Sequence, residues 1–492
     1  MTAGALLQLK NGNVPRMGFL VSNPQISHFK SVYRKYTNFS TQYISVLPQS
    51  SANLSKETEV EVKFKIPRDS DLINDIYFTF ELPDIYSRNS LNFQWIRRIG
   101  EYIIKEVKFT VGSQEIDKQY GEYLHIWSEL NLSKDQKDGY NRMIGNVTEV
   151  FDPESVTGHA AYPGSATGTA LAYPSIVGRK IFVPLHFYFN QHVSNSFPLI
   201  AVQYDEMNIN FTLRPLQELY TVIEGGYRRR PSLITHDIGR FFNVNSLNND
   251  LYINPRLEIK NIFLENEERK RFALQSHEYL GLQVQRELIE GRSTNFDIDL
   301  KNINKPIKQL HFIIRRSDFE DLNLWSNFTN WYFTDIPIYS GNHPTTYTTN
   351  PTVNSTTIKY YKTLSLVKSA ELRLDTHSIV VGNPTDFTGA QEALEGKENT
   401  FFNLIQNYKS SRSMPEEGIY TIAFNLDDYN TRQPNGVSNF SNYSTKELRL
   451  FLNEIHNNTY DSSNYNYNIM VFAENYEIIK FMGGLVGTAT SN

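Results

Sequence analysis

No cysteine occurs in the 492-residue chain. Disulfides, thiolate catalysis and Cys-ligated zinc or iron sites are thereby excluded, and so is a small stapled secreted fold. A basic surplus is missing too: the net charge is -5 and the pI lies near 6.2. Proteins that coat nucleic acid neutralise phosphates with Lys and Arg, so direct genome binding is not expected. Nor does any stretch approach the roughly 18 consecutive apolar residues of a membrane span. Leu6, Leu7 and Leu9 give way at once to Lys10, Asn11 and Gly12, a run too short for a signal sequence. The expectation is a cytosolic product, neither exported by a cleaved signal nor embedded in a membrane.

Catalytic spacings are missing as well. Among the 11 histidines, the pair His186 and His192 lacks the spacing that puts two imidazoles on one side of a metal. No Gly-x-Ser-x-Gly elbow and no Gly-x-x-x-x-Gly-Lys phosphate loop is present. Glycoside hydrolysis needs two carboxylates facing each other across roughly 5 to 9.5 Å. Glu57, Glu59 and Glu61 instead alternate along one strand, as on a solvated face, and Asp427 and Asp428 are neighbours in a turn pattern. The Arg228 to Arg230 run reads as a solvated stretch paired with nearby acids. Sequons such as Asn327, Asn354, Asn439, Asn442 and Asn457 lack a signal peptide to deliver them to the secretory machinery, which leaves sugar attachment open. No catalytic, cofactor-binding or metal-binding residue is assigned.

What the chain does hold is aromatic and alternating. Its 30 Tyr and 31 Phe favour the half-buried surface of strands. Val60, Val62, Phe64 and Ile66 alternate with charged residues until Pro67, and further strand patterns follow over Ile73 to Phe80 and Ile103 to Val111. The same pattern returns at an offset of about 234, with Phe296, Ile298 and Leu300, then Ile307, Leu310, Phe312 and Ile314. A second echo pairs Ile103 to Ile116 with Leu366 to Ile379 at about 263. The increase places an insertion between about Ser317 and Tyr360, rich in Asn, Thr and Tyr, that reads as a long exposed loop. Helical patterns are confined to Tyr120 to Leu132 and Glu265 to Leu280. Gly225 and Gly226, followed by Arg228 to Pro231, suit a linker between two halves.

Several stretches carry a resemblance to a known family. They are Gly4 to Leu9 (GALLQL), Asn23 to Phe39 (NPQISHFKSVYRKYTNF), Asp71 to Leu82, Trp95 to Glu129, Phe182 to Asn210, Glu267 to Leu280, Gly418 to Phe424, Gly436 to Phe440 and Ala473 to Asn492. Together they resemble the major capsid proteins of nucleocytoplasmic large DNA viruses. The resemblance implies an all-β chain of two consecutive eight-stranded jelly-roll β-sandwiches, a double jelly roll with few short helices. It implies a structural subunit rather than an enzyme, three copies of which trimerise into a pseudo-hexameric capsomer of an icosahedral shell. Its implied partners are further copies of itself, neighbouring capsomers, and minor and penton capsid proteins. The N-terminal arm would lie toward minor proteins or an internal viral membrane, and the virion capsid would be assembled in the host-cell cytoplasm. The expected division is an arm at 1–26, a first jelly roll at 27–224, a linker at 225–235, a second jelly roll at 236–480 and a tail at 481–492. The alternative reading of the aromatic content and fold is a carbohydrate-binding or carbohydrate-cleaving jelly roll.

Overall fold

The computed structural model describes residues 2–12, 23–50, 52–87, 91–153, 173–224, 227–243, 250–292, 295–320, 322–329, 366–382, 401–416, 418–426, 433–452 and 465–489. Met1–Phe39 forms one unit and Ser40–Asn492 another. The first contains a helix, α1 (Ala3–Gly12), and an exposed stretch at 24–38 with neither helix nor strand.

Sixteen strands make up the body of the second unit. The first eight are β1 (Phe39–Val46), β2 (Val60–Lys65), β3 (Leu72–Leu82), β4 (Ile104–Val111), β5 (Gln114–Tyr120), β6 (Arg179–Pro184), β7 (Met207–Leu213) and β8 (Arg256–Leu264). They form two facing sheets, ordered β1-β8-β3-β6 and β2-β7-β4-β5. The next eight are β9 (His277–Arg292), β10 (Asn295–Asp299), β11 (Pro306–Arg316), β12 (Val367–Leu374), β13 (His377–Gly382), β14 (Ile419–Ala423), β15 (Lys446–Leu452) and β16 (Tyr467–Met482). Their sheets run β9-β16-β11-β14 and β10-β15-β12-β13. Each strand of the second lobe occupies the place of the strand eight before it, as in two copies of one jelly roll.

The alternation seen in the sequence is what builds these sheets. Along β2, Val62 and Phe64 are buried while Glu61, Lys63 and Lys65 are exposed, so one face makes core and the other meets water. Phe64 from one sheet meets Phe78 from the other, and both pack on Phe211, with Phe78 stacked on it at 4.4 Å. In the second lobe Phe312 stacks at 5.0 Å on Tyr420, its neighbour on the adjacent strand of the same sheet. β3 and β11 start and end at the offset of about 234 read from the sequence, and β4 and β12 at the offset of about 263.

The structure redraws the divisions expected from sequence. Tyr220–Glu224 pairs antiparallel with Tyr227–Arg229 and with Leu91–Trp95, so the expected linker lies inside the first lobe. β8, expected in the second jelly roll, pairs with β3 and completes the first. A Gly/Arg-rich composition shift marks a chain reversal as readily as a join between domains. The connection between lobes is instead a helix, α4 (Asn266–Leu274), which follows the first lobe's helices α2 (Gly121–Asn131) and α3 (Lys134–Met143) along the chain. The helix expected to reach Leu280 stops at Leu274 because β9 begins at His277 and pairs with β16 along most of its length, an example of tertiary pairing overriding local pattern.

Both ends differ as well. The first strand begins at Phe39, twelve residues after the expected start of the first jelly roll at 27. The expected tail at 481–492 is largely sheet: β16 continues to Met482, and Leu485–Thr488 folds back on it. Gly483 and Gly484 join them with φ of +60° and +82°, the left-handed pair that a two-residue hairpin turn requires.

Candidate functional site

The described residues define a seam between the two lobes. Its platform is the outer face of the β9-β16-β11-β14 sheet, which a duplicated sandwich would by default leave in water. In the first lobe the corresponding face is polar, with Asp75, Tyr77, Thr79 and Glu81 on β3 and Arg256, Glu258 and Lys260 on β8. The strand registers match Thr79 to Ile313, Arg256 to Met470 and Glu258 to Phe472. Arg256 and Glu258 are half-buried and Thr79 is buried, so the three replacements exchange two partly wetted charges and a buried hydroxyl for apolar side chains. Ile313, Met470 and Phe472 join the first lobe's core, whereas Phe312, Ile314, Ile469 and Val471, on the opposite face of the same strands, build the second lobe's own core.

Helix α2 seats the first lobe on this platform. Its start depends on Gly121, where an added Cβ would meet the Ile104 carbonyl oxygen at 2.3 Å and that of Glu101 at 2.6 Å, backbone atoms that cannot yield. Tyr123 packs on Phe472 at 6.0 Å, and its hydroxyl donates to Glu474 at 2.7 Å. Glu474 also faces Lys308 at 3.6 Å and His311 at 3.4 Å, while His311 Nδ1 meets the Thr421 hydroxyl at 3.0 Å. Burial alone would push the Glu474 carboxyl up, but Lys308, His311 and Tyr123 outweigh it and hold the group at about 2.

A second buried ionic cluster clamps the far end of α2. Arg98, left-handed at φ +56° and 1% exposed, pairs with Glu101 and Glu129. Glu129 also takes Lys137 at 2.7 Å, and its backbone carbonyl accepts from the Ser413 hydroxyl of the second lobe at 2.8 Å. Arg97 reaches across the seam to Glu416 at 2.5 Å. Burial raises Glu101 above the usual carboxylate range, against the pull of Arg98 and the hydroxyls of Tyr140 and Ser128.

The start of the insertion, expected as exposed loop, wedges into the same seam. Phe319, Leu324, Trp325 and Phe328 are buried. Trp325 lies under the guanidinium groups of Arg214 and Arg315 at 4.3 and 4.8 Å, and its indole N–H donates to the Glu218 carbonyl at 2.9 Å. The remainder of the insertion, 330–365, lies outside the described residues. No sequence pattern singled out Trp325, Phe472 or Glu474. The signal that could have done so is the continuous apolar run Ile469 to Ala473, with Phe312 to Ile314 beside it, since near-continuous apolar strands are buried on both faces.

The residues weighed from sequence are dispersed. His186 stacks on Trp127 at 3.5 Å, and His192 contacts Ser194 at 2.7 Å. Glu57, Glu59 and Glu61 are exposed, and Glu59 pairs with Lys105. Arg230 pairs with Glu218 at 3.3 Å. Asn327 is buried and accepts from Thr329, whereas Asn439 and Asn442 are exposed. Asp427, Asp428, Asn354 and Asn457 lie outside the described residues.

Two family profiles match consecutive parts of the chain, one described as major capsid protein N-terminus over residues 27–253 and one as large eukaryotic DNA virus major capsid protein over 268–487. Among curated proteins, the major capsid protein of Phaeocystis pouchetii virus is 28% identical over the whole of both chains. That of Paramecium bursaria Chlorella virus 1 is 26% identical over 96% of each. Among solved structures, PBCV-1 VP54 superposes with a TM-score of 0.68 at 23% identity, covering 95% of this chain and all of that one, and so shares the fold. With the duplicated jelly rolls, these matches show that the chain belongs to the family of large eukaryotic DNA virus major capsid proteins.

Proposed function

We propose that three copies of this chain close into a capsomer with a six-lobed outline, and that such capsomers tile the icosahedral shell. The observation that carries this reading is the duplication itself: two lobes of identical strand order, held rigidly by a buried seam. A hexagonal net needs units of six-fold outline, and three two-lobed chains supply six lobes while closing only a three-fold ring. An obligate trimer of this kind buries upwards of about 2,000 Å² per interface.

The role is architectural and not enzymatic, and assembly takes place in the host-cell cytoplasm. Minor and penton capsid proteins are the further partners. Residues 1–39 carry Lys10, Arg16, Lys30, Arg34 and Lys35 and no acidic side chain, which suits an arm directed at an anionic surface, of a minor protein or of the internal viral membrane. Native mass measurement tests the central step. The purified chain should appear at three times its 57.0 kDa mass; a stable monomer at micromolar concentration would refute the reading.

A further inference from the structure

A cavity of about 230 Å³ lies in the first lobe. Asp75 and Tyr77 of β3, Trp127 of α2, and His186, Asn190 and Gln191, which follow β6, line it. Drug-sized ligands occupy cavities of about 300 Å³ and more, so this one has room for a single ring.

Three features give the cavity its chemistry. Trp127 is half-buried, and its ring is fixed parallel to His186 at 3.5 Å with an interplanar angle of 19°. Among the described residues, His186, 8% exposed, has no hydrogen-bond partner for Nε2, and neither polar atom of the Asn190 amide has one. Burial drives the imidazole down to about 3, so it is neutral at physiological pH and offers no charge to an anion. The carboxylate of Asp75, shared with Lys260 at 3.2 Å, completes the polar rim.

Buried polar groups without partners are costly, and a ligand that supplies partners removes the cost. A neutral amide, a neutral imidazole and an aromatic ring select a neutral ring bearing hydroxyl groups. They do not suit a phosphate, a metal ion or an extended peptide. We infer that the cavity bounded by Trp127, His186 and Asn190 binds one pyranose unit of a glycan, with the Asn190 amide turning to meet its hydroxyls.

Saturation-transfer NMR on the purified full-length protein, with a panel of methyl hexopyranosides and with adenosine as a planar control, tests the inference. Saturable millimolar binding of at least one hexopyranoside is expected. Asn190→Ala should weaken it at least tenfold while leaving the melting temperature unchanged, and Trp127→Phe should weaken it at least tenfold at a temperature where that variant is folded. Three results would overturn the inference: no transfer to any sugar, binding of adenosine in preference to sugars, or sugar binding indifferent to both substitutions. The wild-type measurement alone can deliver the first two, whatever the variants do.

Discussion

Glu474 shows how one side chain can hold two lobes together. It is buried with Tyr123 of one lobe and Lys308 and His311 of the other. Removing one member of a buried charge group leaves the rest uncompensated, which costs about 3 to 5 kcal/mol, so Glu474→Gln should lose that much at neutral pH in denaturant titrations. Because the folded carboxyl is held at about 2, below its ordinary 4.5, its contribution is complete above about 4.5 and is lost as pH falls to about 2. The gap between wild type and variant should close over that window. Asp117 behaves in the opposite sense. Burial raises it to about 8 against the backbone N–H groups of Tyr188 and Lys118, so the folded state holds a proton that the unfolded chain has released. Its contribution is complete below about 4 and falls as pH rises to about 8. Chemical denaturation across that range should show a declining stability that flattens in Asp117→Asn. Phe472→Ala, which strips the platform of its central ring, should cost about 3 to 5 kcal/mol. None of these roles was legible beforehand, because a partner 351 positions away, as Tyr123 is from Glu474, leaves no trace in local spacing.

Among the elements, period-two alternation was readable whether or not the second face is wet: β2 has one exposed face, whereas β11 is buried on both. β2, β3, β4 and their counterparts announced themselves by period-two alternation, and the echo between them fixed the duplication to the residue. The join between lobes was misplaced because Gly225 to Pro231 carries the composition of a linker, while the true connector, α4, looks like any short polar helix. α3 was missed although Ser133 and Gln136 form a reciprocal capping box, the Ser133 hydroxyl accepting from the Gln136 N–H at 3.4 Å and the Gln136 side chain from the Ser133 N–H at 3.0 Å. Ser133→Ala should cost about 1 kcal/mol, measured by thermal denaturation. Gly121→Ala should be far more damaging than a usual helix substitution. Its new methyl would strike backbone oxygens at the point where α2 leaves β5, and hydrogen exchange should report loosening of α2 and of the seam beneath it.

At the scale of the whole molecule, duplication and divergence act together. Two lobes with one strand order give the chain two similar outlines, while Ile313, Met470 and Phe472 make one sheet of the second lobe a permanent platform for the first. The lobes are therefore locked and unequal, and a ring of three chains should be three-fold symmetric and only approximately six-fold. Single-particle electron microscopy of the purified assembly tests this most directly. Class averages should show a hexagonal outline of six lobes in which alternate lobes differ, with three-fold symmetry. Two-lobed isolated particles, or a ring with true six-fold symmetry, would contradict the account.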